Sequence, residues 1–268
     1  MKIKDIMKLA YLMGTIVACA IVVSCGNEEL NEIGQGSVTF NISTDHLINE
    51  SRATVEVPTP ETMILAMLRD ANQVYKSIEV PLSNGVASPF TQIVSSNTYT
   101  FVATNYESRD IVYAKNDGRG DCWFYASEEK TVNTGDVFDV NLTAKVCNFK
   151  VTIEYSDGFN VLENCVATLY VESHKDRKIQ YPQSINAGEA WFDANSKLIV
   201  ELDFTYNGQK KHKVYTNALS ELAPEGVAQS ATWYHITLTP TVASGQVSIA
   251  VSSIIEKVTG GIDVNPKN

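Results

Sequence analysis

The sequence predicts an all-β protein made of two tandem β-sandwich domains behind an N-terminal leader. Apolar and polar residues alternate at period two through much of the chain, which puts one face of each segment in a core. Asn-Gly and Asp-Gly pairs separate these runs at Asn84-Gly85, Asp117-Gly118, Asp157-Gly158 and Asn207-Gly208, supplying the positive-φ residues that tight hairpins demand. Length supports the count, because 268 residues less a leader of 24 leave 244, and one sandwich takes roughly 100.

The leader spans residues 1–24. Lys2, Lys4 and Lys8 make a basic start, and residues 9–23 form an apolar run too short for the roughly 20 residues that cross a bilayer. Val22, Val23, Ser24 and Cys25 close it, and this ending resembles the lipobox of bacterial lipoproteins. The resemblance implies cleavage before Cys25, acylation of its thiol and new amine, and three acyl chains, where a single chain would bind a membrane only marginally. The alternative is an uncleaved signal anchor with an incidental cysteine. Residues 25–35 follow as an acidic tether carrying Glu28, Glu29 and Glu32, with little to bury. Acidic residues just behind the lipid site resemble the signal that sends Bacteroidota lipoproteins to the outer face of the outer membrane. A solvated linker on a periplasm-facing lipoprotein fits the same residues.

Strands are read at 37–43, 98–103, 137–142 and 197–204, each with one apolar face. The clearest hairpin joins residues 198–206 to 209–216 through Asn207-Gly208, and the returning strand carries Lys210, Lys211, His212 and Lys213, a basic edge that discourages edge-to-edge pairing. Residues 247–254 read as the last strand. Helical signal is weak: only residues 217–223 suit one or two turns, ended by Pro224. The domain boundary falls at 143–146, where one strand ends at Leu142 and another begins at Cys147. The domains are therefore 36–145 and 146–268, joined stiffly by almost continuous strands.

Cys19 leaves with the leader and Cys25 takes lipid, so Cys122, Cys147 and Cys165 remain. An odd number is no complete disulfide framework. Cys147 and Cys165 each share the apolar face of a strand and read as small buried hydrophobes, with a bridge between them the lesser alternative. There is no C-x-x-C, and His46, His174, His212 and His235 are scattered, so no metal or other cofactor is expected.

The order of segments carries a family resemblance: the strand at 36–45, then Ser51, Arg52 and Ala53, the strand at 97–105, Asp121 to Tyr125, Thr134-Gly135, and the continuous run 142–157. It resembles a Bacteroidota family of uncharacterised lipoproteins related to the fimbrillins of type V pili. Nearly the whole mature chain is covered, although Trp123, Phe124 and Tyr125 depart from the more usual tyrosine- and glycine-rich version. The resemblance implies two transthyretin-like, Greek-key sandwiches and a structural or adhesive role at the cell surface, with pilus subunits or a host or glycan ligand as partners. It also implies that cleavage after Arg52, before Ala53, releases the strand 36–44 and leaves a groove for a strand donated by the next subunit. Strand addition would satisfy the exposed ladder and cover its apolar slot. Residues alone favour the plainer reading of Arg52 as an ordinary exposed loop arginine.

No enzyme is expected. The chain has no G-x-S-x-G, no H-E-x-x-H and no phosphate-cradling glycine loop. Glu128 and Glu129 are adjacent, and neighbours on a strand point to opposite faces, so they make a solvated edge rather than an acid/base couple. The competing function is surface glycan binding through exposed aromatics, with Trp123, Tyr125 and Trp233 as candidate contacts. Two coplanar, solvent-facing rings beside a carboxylate or amide would favour it. Fully buried rings would favour the structural role.

Charge narrows the partners. The chain carries 21 basic and 31 acidic side chains, a formal net of −10, and loss of the leader leaves 18 against 30, or −12. Such a chain repels phosphates, so nucleic acid is excluded as a partner. The outer membrane, reached through lipid, is the expected location.

Overall fold

A computed structural model describes residues 34–50, 53–69, 73–184, 187–220, 223–243 and 246–254. The leader, Cys25, the tether up to Ile33 and Arg52 lie outside these residues. Among the described residues the chain is all-β, with seventeen strands and one short α-helix, and its sheets pack in sandwich fashion.

The first core belongs to a seven-stranded sheet in the order β5-β4-β7-β8-β9-β1-β6. Its strands are β1 (Gln35–Asp45), β4 (Thr62–Arg69), β5 (Gln73–Pro81), β6 (Phe90–Ser95), β7 (Asn97–Thr104), β8 (Phe124–Val132) and β9 (Val137–Val146). The alternation read at 37–43 is what buries β1: Val38, Phe40 and Ile42 point inward and are at most 1% exposed. Phe40 stacks on Phe90 at 5.5 Å and meets Phe101 edge-on at 5.2 Å, so the sheet curls around its own apolar face. Its two edges approach each other, with Tyr75 of β5 3.5 Å from Ser95 of β6 and Lys76 bonded to Gln92. Burying one such aromatic contributes about 1.5–3 kcal/mol.

The second core lies between two sheets. One is ordered β13-β10-β16-β2-β3 with β17 also paired to β16, and the other β12-β11-β14-β15. The strands are β2 (Leu47–Glu50), β3 (Ala53–Glu56), β10 (Asn148–Tyr155), β11 (Glu163–Val171), β12 (His174–Pro182), β13 (Ala187–Asp193), β14 (Leu198–Tyr206), β15 (Gln209–Tyr215), β16 (Thr232–Ala243) and β17 (Gln246–Ile254). Phe149, Leu169, Phe192, Leu202 and Ile236 from both sheets meet in it. Only Cys147 separates β9 from β10, so the chain passes between the two cores with almost no loop.

Four local readings are corrected. Residues 217–220 form turns rather than an α-helix, and the helix α1 (Arg109–Ala114) occurs where none was expected. Ser108 caps it, accepting from Ile111 N at 3.4 Å, and Val112 and Tyr113 bury its inner face. Asp157-Gly158 opens a 3-10 turn over Asp157–Val161 instead of a hairpin. Gly158 lies against Pro240, where a Cβ would sit 3.2 Å from its ring, so close approach and not positive φ explains the glycine. Cys147 ends up half-buried between strands rather than on the apolar face of β10, whereas Cys165 is buried in the second core. The hairpin at Asn207-Gly208 is present as read, with φ of 49° and 72°.

Candidate functional site

Two regions hold the residues singled out from sequence. The first surrounds β1, which lies inside its sheet. It pairs in parallel with β9 from Ser37↔Val137 to Asp45↔Lys145, and antiparallel with β6 from Gln35↔Ser95 to Phe40↔Phe90. On its outer face Thr39 bonds Thr91 at 3.1 Å, Asn41 donates to Asn141 at 2.9 Å, and Ser43 meets Thr143 at 3.1 Å. Thus β1 is held by two backbone ladders, buried side chains and a polar outer row. The chain then forms a hairpin of β2 and β3, closing at Glu50↔Ala53. Arg52 lies outside the described residues, and Ala53 is the first residue of β3. The last strand, β17, pairs with β16 from His235↔Ile254 to Ala243↔Gln246, so it is already engaged in its own sheet.

The second region is aromatic. Phe124 points into the first core at 1% exposure while Tyr125 is 40% exposed, as pleating requires. Trp123 is half-buried, and its indole N–H donates to Thr104 Oγ1 at 2.9 Å. Its ring meets Tyr125 at 76°, so the two are not coplanar. Trp233 lies elsewhere, on β16, half-buried, with its N–H donating to Thr152 Oγ1 at 2.9 Å. The Lys150 ammonium sits 3.7 Å from its ring centre, and His235 stacks on it at 4.9 Å.

Trp233 also lines a cleft of about 380 Å³ with Asn105, Tyr106, Asp121 and Trp191. Sequence reasoning missed these neighbours, because they come from loops and strands far apart in the chain. Trp123 and Tyr125, by contrast, do not line it. Tyr106 Oη donates to Asp121 Oδ2 at 2.5 Å, and burial together with that carboxylate pushes the phenol pKa far up. Asn105 is fixed by two backbone bonds, to Cys122 O at 2.9 Å and from Phe124 N at 2.8 Å. Lys150 and Trp191 line a second depression of about 350 Å³ as well, with Arg119, Gly188 and Glu189. Lys150 pairs with Glu189 at 2.7 Å.

A larger polar cleft of about 540 Å³ lies between α1 and β12. Here Asp193 accepts from Tyr113 Oη at 2.7 Å and contacts His174 at 2.5 Å, with Arg109 3.9 Å away. Asp193 thus gathers Tyr113, His174 and Arg109 around one carboxylate. Cys122, Cys147 and Cys165 are all free thiols, with no bridge between Cys147 and Cys165. Burial pushes Cys165 up to about 11 and Cys147 up to about 12, which makes both poor nucleophiles. Glu128 pairs with Lys130 at 3.0 Å on the surface of β8. Among the described residues no group of three or more His, Cys, Asp or Glu is placed to hold a metal, and no helix is long and apolar enough to cross a membrane.

The family model described as Domain of unknown function (DUF4493) matches residues 34–266. The chain belongs to the DUF4493 family. Its match spans both cores and starts beside β1. A search of the curated proteins finds no match. Among solved structures this DUF4493 protein is similar to the fimbrial anchor protein Mfa2 from Porphyromonas gingivalis, at 11% identity and a TM-score of 0.47, covering 81% of this chain and 97% of that one. It is also similar to a candidate adhesin from Bacteroides ovatus, at 10% identity and a TM-score of 0.47, covering 82% and 95%. A third is a candidate polysaccharide-binding protein from Bacteroides thetaiotaomicron, at 12% identity and a TM-score of 0.46, covering 80% and 97%.

Proposed function

We propose that this protein is a non-enzymatic, fimbrillin-like surface lipoprotein, anchored in the outer membrane through Cys25 and composed of two sandwich domains, 36–145 and 146–268. In this reading it takes part in a fibre or an adhesive contact through strand exchange. The observation that supports it most is the position of β1, an N-terminal strand lying between β6 and β9. Cleavage after Arg52 would free β1 together with β2 and sever residues 53–268 from the lipidated Cys25, so the lipid anchors the uncleaved protein and strand exchange follows its loss. The sheet would then expose two unpaired ladders and the space vacated by Val38, Phe40 and Ile42, which a strand parallel to β9 could fill. Because β17 is paired to β16, it is not a free donor, and the incoming strand has to come from another segment or another subunit.

The test is to incubate the detergent-solubilised protein with an arginine-specific protease and sequence the amino terminus of any polymer. Ala53 is the expected first residue. Polymers that retain Gly36 would overturn strand release. A second reading, attachment to glycans, is favoured by the cleft that gathers Tyr106, Trp191 and Trp233 around Asn105 and Asp121.

A further inference from the structure

We infer that the two depressions meeting at Lys150 and Trp191 form one groove that binds a neutral oligosaccharide chain. The inference rests on the glycan-binding reading and gives it a place and a ligand class. Each depression has the volume of an ordinary small-molecule site, at about 380 and 350 Å³. Because they share Lys150 and Trp191 along their common border, the fitting ligand is a chain of linked units rather than a single compact molecule.

The charges of the groove choose a neutral ligand. Lys150 is matched by Glu189 at 2.7 Å, and Arg119 lies over the Tyr181 ring at 4.8 Å. Asp121 is occupied by the Tyr106 hydroxyl at 2.5 Å. Two cations thus face two carboxylates, leaving no surplus to attract an anionic or cationic chain. What the groove does offer is aromatic walls from Tyr106 and Trp233 over a floor at the buried Trp191, with amide, carboxylate and ammonium groups between them. Sugars present that combination in mirror form, with apolar C–H faces and hydroxyls that both donate and accept. Lys150 rests against Trp233 on a flexible four-carbon stem, so its ammonium can turn to a hydroxyl while keeping Glu189 in reach.

A peptide fits less well. Extended peptides gain their affinity by adding to an open sheet edge, and β10, which carries Lys150, is already paired to β13 on one side and β16 on the other. Hydrolysis is not part of the inference, since both carboxylates of the groove are held by partners.

The test titrates the full-length, detergent-solubilised protein with xylohexaose, mannohexaose and cellohexaose, with oligogalacturonate and a mixed hexapeptide as comparisons, read by calorimetry and tryptophan fluorescence. At least one neutral hexaose should bind. Trp233→Ala should weaken it by about tenfold or more. Lys150→Met should keep the melting temperature of the parent protein and weaken binding severalfold, while Tyr125→Ala outside the groove should not weaken it. Neutral binding that survives both Trp233→Ala and Lys150→Met, or that Tyr125→Ala abolishes, would overturn the groove while leaving glycan binding intact. A preference for galacturonate would overturn the neutral ligand class. Binding of the peptide alone, or of no probe, would overturn the groove and the glycan reading together.

Discussion

Tyr155 shows how much one hydroxyl can hold together. Buried beside Phe159, it accepts from Ala167 N at 2.7 Å and donates to Tyr181 O, tying β10 to both β11 and β12. Tyr155→Phe keeps the ring but strands an N–H and a carbonyl, so it should cost about 1–3 kcal/mol, read as a lower urea midpoint at unchanged slope. The free thiols give a pH dependence. Cys165 is pushed up to about 11 and Cys147 to about 12 by burial. An acid whose pKa is raised on folding binds its proton longer in the native state, so its contribution is fully present below the unfolded thiol value. That contribution is lost as pH rises toward the folded one. Stability should therefore fall from about pH 9 to 11 through Cys165 and on toward 12 through Cys147, and Cys165→Ala should flatten the first part of the fall. Alkylation at pH 8 should be slow until urea unfolds the chain, and fast labelling of the native protein would refute the burial argument. At this scale the sequence was readable where alternation decides, as in the apolar face read at 37–43, which buries Val38, Phe40 and Ile42. It was not readable at Gly158, whose neighbour Pro240 lies far along the chain.

Elements were legible in proportion to how local their causes are. The β14–β15 hairpin needs only Asn207 and Gly208 in the left-handed region, at φ 49° and 72°, and its boundaries followed from the residues. A Cβ on Gly208 would meet nothing within 4 Å. Gly208→Ala should therefore cost only the backbone strain of about 1 kcal/mol, seen as a small drop in melting temperature. A much larger loss would mean that the turn is packed against something. Helix α1 went unread because its six residues make less than two turns, too few for propensity to show, and burial of Val112 and Tyr113 holds it. The parallel pairing of β1 with β9 was equally hidden. Its partners are 100 residues apart, as Asn41 and Asn141 show, and nothing local marks a strand as lying inside a sheet rather than at its edge. Phe40→Ala tests that position: the side chain is 0% exposed, and its removal should cost about 3–5 kcal/mol.

At the scale of the whole molecule the question is how two cores, joined at Cys147 and by the β2–β3 hairpin that pairs with β16, behave under stress. Arg177 of β12 reaches across, donating to Gly118 O at 2.9 Å and to Trp191 O at 2.8 Å. Its guanidinium lies 4.1 Å from the Tyr113 ring centre and 5.1 Å from that of Phe192. Tyr113 packs in the first core and Phe192 in the second, so one side chain clamps the loop after α1 to the second sandwich. Trp191 helps, since it is carried by β13 yet packs into the first core. The β9–β10 passage and the short β16–β2 ladder bring little buried area to couple two melting units, so such a clamp matters. Arg177→Met keeps much of the apolar stem and leaves both carbonyls without their charged donor, an expected loss of about 1–3 kcal/mol. The informative readout is the shape of the calorimetric transition. The intact protein should unfold in one transition and the variant in two, with the first core melting apart from the second. A single transition that merely moves to lower temperature, with equal calorimetric and van't Hoff enthalpies, would show that the cores form one cooperative unit. The proposed division at residues 145 and 146 would then not describe how the protein unfolds.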